Sequence, residues 1–240
     1  MRAFVAQTRT ELVLTLRRGE SLLLIVGIPV LLLGFFSTVD VLPKGDFKDG
    51  VSHLAPGVLA LAVMSTGMVQ LAIGTAFERQ YGVLKRLGTT PLGRPRLLGA
   101  KTASILAVEV AQVVALVALA LALGWDPSVH VAALGALVLG TVAFAGLGLL
   151  MAGTLRGEVT LAAANGLYLV LLLLGGMMVP LSELPSGLRT VAELLPAAAL
   201  ADALTGTLTS GLTAATRDWV VLAVWAVAAP VAAARFFRWE

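Results

Sequence analysis

A single carboxylate stands inside a long apolar run. Glu109 is the only acid between Thr102 and Trp125. An ionisable group in such surroundings is costly unless it is paired or neutral, and it marks a candidate site. Its depth follows from the helical rise. It lies eight residues beyond Lys101, so about 12 Å along a helix at ~1.5 Å per residue. Gln70 precedes Glu78 by eight residues, Asn165 follows Glu158 by seven, and Gln112 sits one turn past Glu109. If these runs are neighbouring spans, Gln70, Glu109, Gln112 and Asn165 share one layer. Mutual hydrogen bonds would then lower the desolvation cost of each. Two chemistries fit such a layer. One is interhelical glue, with Glu109 protonated; the other is proton or substrate handling by Glu109. Glue is the simpler reading.

Other chemistries find no footing. The stretch GRPRLLGAKT, Gly93 to Thr102, falls short of a phosphate-binding G-x-x-x-x-G-K-[ST] loop. Its spacing is one residue too long, and Ala100 separates the glycine from the lysine. Two arginines and a proline occupy the place of the amide cradle. Metalloprotease and nucleophile-elbow motifs are missing. There is no cysteine, and only two histidines, His53 and His130, both in loops where a solvated role suffices. The chain is therefore expected to hold no catalytic residue, metal or cofactor of its own.

The elements around Glu109 are apolar throughout. The hydrophobic fraction is 58%, the charged fraction 13% and the mean hydropathy +0.95, far from the balance of a soluble domain. Six uncharged or nearly uncharged runs read as spans: Ser21–Val39, Leu54–Phe77, Thr102–Trp125, Val131–Leu155, Val159–Ser182 and Trp219–Ala234. Most match the roughly 20 residues a helix needs to cross the hydrocarbon core. No strand alternation offers a barrel, so helices must satisfy the backbone. The expected fold is an all-α integral membrane protein of six transmembrane helices, one transmembrane domain over residues 1–240.

Six spans place both termini on one side. Of the 17 Lys and Arg residues, 13 fall on that side and four on the other. Cations stay cytoplasmic, so both termini are expected in the cytosol, with the chain a multi-pass protein of a prokaryotic-type plasma membrane. Residues 1–18 read as an interfacial helix, with Phe4, Val5, Leu12 and Leu16 on one face and Glu11, Arg17 and Arg18 away from it. Residues 183–217 read as an external re-entrant segment: too polar for a span, too apolar for a solvated loop. Within it, Arg189 and Glu193 form an i,i+4 pair.

The most basic stretch, YGVLKRLGTTPLGRPRLLGAK at Tyr81–Lys101, lies in the cytosolic loop 78–101. It resembles the signature loop of ABC-2 type transporter permeases. The matching positions are Gly82, Leu84, Lys85, Arg86, Thr90, Pro91, Gly99 and Lys101, with Glu78 as the acid before the loop. LLLLGGMMVPLSELPSGLRTVAELLP, Leu171–Pro196, is similar to the end of that family's fifth span and its external helices.

The resemblance implies the membrane subunit of an ATP-driven exporter for amphipathic drugs, secondary metabolites or lipids. The implied partners are two ABC ATPase subunits carrying ATP and Mg, a second permease copy or homologue, and the bilayer, with no nucleic acid. It further implies that the loop holds a coupling helix docking on the ATPase. Tyr81, Leu84 and Leu87 would form its apolar edge, Lys85 and Arg86 its charge, Gly88 its cap, and Thr90-Pro91 its stop. The rival readings are a secondary transporter coupled through Glu109 and an ATPase-linked membrane sensor.

Overall fold

The computed structural model describes residues 2–17, 19–39, 50–88, 93–128, 130–177 and 181–239. Among the described residues every regular element is helical. An N-terminal helix α1 (Arg2–Arg17) precedes α2 (Gly19–Thr38), an apolar helix of 20 residues. The next rod is composite: α3 (Gly50–Met64), a π-helical segment (Ser65–Gln70) and α4 (Leu71–Gln80). Then come the short α5 (Val83–Gly88), α6 (Arg94–Ala122), α7 (Ala132–Thr154) and α8 (Gly157–Leu174). After a 3₁₀ turn (Leu181–Glu183), α9 (Ser186–Ala192), α10 (Pro196–Leu208) and α11 (Thr216–Phe236) complete the chain.

The α3–α4 rod, α6, α7, α8 and α11 are each long and apolar enough to cross a membrane, with Val26–Thr38 of α2 a shorter apolar helix and the bent α9–α10 pair a further candidate. Boundaries shift from those read in the sequence. The third span starts at Arg94 rather than Thr102, because Gly93 (φ 72°) turns the chain and Pro95 suits the first helical turn. The fifth ends at Leu174 rather than Ser182, where Gly176 (φ 66°) breaks the helix.

α7 is the centre of the bundle. It packs along α11 on one side and against α4, α10 and the π segment on others. Small residues make this possible, since in lipid close backbone approach and dispersion drive association. A Cβ on Gly146 would stand 2.5 Å from the Pro230 nitrogen, and one on Gly148 would stand 2.7 Å from the Met68 carbonyl oxygen. α9 and α10 meet at a bend of 83°. α10 is buried over most of its length among α3, α7 and α11, so its non-spanning backbone lies against protein. Arg189 Nε pairs with Glu193 Oε1 at 3.1 Å, as its spacing suggests.

Both ends of the chain gather at one end of the bundle. Glu11 of α1 reaches Lys101 near the start of α6. The Arg79 guanidinium donates to the Leu155 carbonyl and, at 3.5 Å, to that of Arg238. The Arg238 amide donates to Gly153 O at 2.9 Å.

Candidate functional site

The terminal end carries a three-way ion bridge. Lys101 Nζ donates to both carboxylate oxygens of Glu11, each at 3.0 Å, and pairs with Glu78. Lys101 is 3% exposed. It ties α4 to α1 and α6, which also pack along each other. A buried cation with two carboxylates around it is tolerable because each charge is compensated. The bridge borders a small cleft of about 50 Å³, also lined by Gln70, Thr75 and Ser104. Gln70 Oε1 and Thr75 Oγ1 are buried with no hydrogen-bond partner among the described residues.

Glu11 was not legible as part of this bridge. The sequence pattern puts it away from the apolar face of α1; in the fold it turns inward, and Val5 is exposed instead. The inward face holds Phe4, Gln7 and Glu11 at helical spacing, with Gln7 Nε2 donating to Glu11 Oε1 at 2.8 Å. Polar residues won that face because Lys101 offers a buried cation and apolar side chains offer nothing to it. Val5 and Leu14 then point outward, as suits a helix bordering lipid.

The loop that follows α4 is not one rod. Gly82 (φ 72°) separates α4 from α5. α4 is pinned at its end by Arg79 and by Gln80, whose amide donates to Glu158 Oε1 at 2.9 Å. Leu84, expected on an outward docking edge, is fully buried. It packs with Leu71, Leu97, Ile105, Leu149 and Phe237, and Leu87 lies against the same cluster. The amphipathic pattern was real, but the apolar stripe anchors α5 to its own chain. The outward surface is made by Tyr81, 71% exposed, with Val83, Lys85 and Arg86. Tyr81 stacks on Phe77 with ring centroids 6.1 Å apart. Thr90 and Pro91 lie outside the described residues.

The intramembrane layer divides into separate contacts. Glu109, 2% exposed, accepts a hydrogen bond from Thr141 Oγ1 at 2.5 Å, joining α6 to α7. The Thr141 hydroxyl also lies 2.7 Å from Leu137 O. One hydroxyl proton cannot serve both acceptors at once, so Thr141 donates either to Glu109 or to its own backbone. Glu109 Oε2 has no hydrogen-bond partner among the described residues. One turn on, Gln112 is fully buried and its Oε1 accepts from Thr66 Oγ1 at 2.8 Å, joining α6 to the π segment. Local π geometry recurs at functional positions; here it carries Thr66, which points at Gln112.

Gln70 and Asn165 stay outside this pair. Gln70 opens on the terminal cleft, and Asn165 is exposed on α8 with Nδ2 donating to Leu161 O at 2.8 Å. Equal depth therefore did not mean contact, because depth says nothing of which way a helix turns. The partners Thr66 and Thr141 left no distinct signal, since hydroxyls are common in such runs and bond their own backbone.

α6 meets α7 only lightly. Two apolar crevices flank the Glu109–Thr141 contact, one of about 250 Å³ towards the terminal end and one of about 280 Å³ near Trp125 and His130. Among the described residues no group of three or more His, Asp or Glu side chains is placed to hold a metal ion. The family model described as ABC-2 type transporter matches residues 2–209 of the chain. No curated protein matches it.

Proposed function

Because the chain belongs to the ABC-2 type transporter family, and so is the membrane permease component of an ABC transporter, we propose that it is an exporter subunit driven through α5 by a separate ATPase chain. In this reading the terminal end faces the cytosol, in line with its 13 of 17 cations. ATP and Mg belong to the ATPase subunits, two of which serve a pair of permeases. The cargo is an amphipathic drug, secondary metabolite or lipid, in keeping with crevices lined almost wholly by hydrocarbon.

The observation that carries the proposal is the placement of α5. It offers Tyr81, Val83, Lys85 and Arg86 outward while Leu84 roots it between α4 and α6. A short helix rooted in this way passes a push at its outer face directly to two spans, and rigid-body shifts of that kind switch access. Aromatic and basic residues are the types that dominate docking contacts. The second permease copy is assigned to α8, where Asn165 stands exposed within a span; a polar side chain there favours a protein neighbour over lipid.

The test is co-purification of the ATPase with Tyr81→Ala/Val83→Asp. The double variant inserts and folds, since both side chains are exposed, but loses its ATPase and ATP-dependent export. Full retention of both would remove α5 from the coupling role. The secondary-transport reading predicts instead that Glu109→Gln abolishes transport at normal stability and that no ATPase is needed.

A further inference from the structure

The crevice of about 280 Å³ at the end of the bundle away from the termini is a slot between α6 and α7, backed by α3 and the end of α10. Its walls grade from buried to exposed. Leu59, Trp125, Ala133 and Leu208 are buried in its lining, whereas His130, Val131 and Leu134 stand exposed at its rim. Val113 follows Glu109 by one turn, and Leu137 precedes Thr141 by one turn. The Glu109–Thr141 bond therefore bounds the slot towards the terminal end. The loop at the other end is held to α10. There the Ser128 and His130 amides donate to Leu208 O and Thr207 O at 3.1 and 3.4 Å.

The lining chemistry narrows what can enter. His130 is the one titratable side chain among the described lining residues, and its imidazole has no hydrogen bond or ion pair with a described residue. No lysine, arginine, aspartate or glutamate lines the slot. An apolar cavity of ~150 Å³ already takes up benzene, and sites for drug-sized molecules begin at roughly 300 Å³. A volume of about 280 Å³ suits a slender hydrocarbon body. The Trp219 ring lies beside Gly135, 3.8 Å from where a Cβ would stand and in the same turn as the rim. Indole rings settle where headgroups meet tails, so the rim lies at that level and the slot reaches in among the tails.

We infer that this slot binds a neutral single-chain amphiphile, with its alkyl body between α6 and α7 against Trp125 and a hydroxyl head on His130. A chain that leaves the bilayer for the slot exchanges hydrocarbon for hydrocarbon, so selectivity comes from the head. The imidazole offers a hydroxyl both a donor and an acceptor. A carboxylate of the same chain length finds no cation in the lining, and it gives up hydration at an uncharged wall. The site lies at the opposite end from α5 and its occupancy needs neither ATPase nor transport, so it stands or falls independently of the exporter reading.

The experiment uses Trp125 as the reporter, in a Trp219→Phe/Trp225→Phe/Trp239→Phe background held in phosphatidylcholine nanodiscs. Added ω-bromoundecanol should quench Trp125 saturably, because bromine quenches only at close approach. At equal bilayer content, ω-bromoundecanoate should bind at least about fivefold more weakly. His130→Ala should weaken the alcohol by about fivefold, the worth of one hydrogen bond, and bring it level with the acid. Ala133→Phe fills the slot from its buried wall and should remove the saturable part. Unlabelled undecanol should restore the fluorescence, and this competition decides the matter should Ala133→Phe fail to fold in a thermal melt. The unaltered protein gives a second reading, a melting midpoint raised by undecanol and not by undecanoate, which decides if the reporter background is unstable. Quenching that rises only in proportion to the probe, or that treats alcohol and acid alike, would overturn the assignment. So would quenching that a folded Ala133→Phe leaves unchanged.

Discussion

α11 and α6 are both long apolar helices beside α7, yet they are held in different ways. α11 lies against α7 along its length, close enough that Gly146 admits the Pro230 ring. α6 is separated from α7 by two crevices. Besides its packing on α1, α2 and α3, it is held by polar contacts at three levels: Lys101 to Glu11 and Glu78, Glu109 to Thr141, and Gln112 to Thr66. In a bilayer, dispersion between small-residue faces holds a helix everywhere at once. Hydrogen bonds and ion pairs hold it at points, and a pinned helix can shift between arrangements by exchanging few contacts. α6 is also the span that α5 leads into, so the helix that meets α7 only lightly is the one next to the proposed drive.

That contrast is broken most directly at the buried cation. Lys101→Met leaves Glu11 and Glu78 facing each other without compensation, a loss expected at about 3–5 kcal/mol. The thermal midpoint in detergent should fall sharply, and adding Glu11→Gln should restore part of it. A variant as stable as the parent would mean that the bridge does not hold α6.

A matched pair of glycine substitutions comes next. Gly146→Ala drives a methyl into the Pro230 backbone, at a cost of about 1–3 kcal/mol. Gly99→Ala meets only the Phe4 ring edge at 3.4 Å and gains up to about 1 kcal/mol of helix propensity. Equal destabilisation of the two in thermal melts would erase the distinction between seams.

Glu109 tests the middle pin. Glu109→Leu removes the bond to Thr141 and should cost about 1 kcal/mol. Glu109→Gln keeps a donor and an acceptor and should stay within about 0.5 kcal/mol of the parent, with transport maintained. Loss of transport in the Gln variant at parental stability would make Glu109 a proton- or substrate-handling group instead.

The smallest effects on stability belong to the outer face of α5. Tyr81→Ala and Lys85→Ala should each change the melt by less than about 0.5 kcal/mol. In ATPase capture, Tyr81→Ala should weaken binding more than Lys85→Ala, whose effect should show mainly in salt dependence. The reverse order would make the contact chiefly electrostatic.

The hydrophobic runs alone determined the class of fold, the approximate spans and the isolated status of Glu109, because the bilayer penalises any unpaired polar group whatever the packing. Helical spacing also determined the Arg189–Glu193 pair, which is local. Tertiary structure decided everything that depends on which way a helix faces. Leu84 reads as an outward edge from periodicity and is buried, since α5 folds back at Gly82 onto α6. Glu11 reads as solvent-facing and is drawn inward by Lys101, which lies 90 residues away. Asn165 shares the depth of Glu109 and faces away from it. The π segment left no readable mark, because one altered turn in an apolar run leaves composition unchanged while redirecting Thr66 onto Gln112. Depth and amphipathicity are one-dimensional quantities set by the solvent; rotation about the helix axis and the choice of neighbour are set only when all the helices pack together.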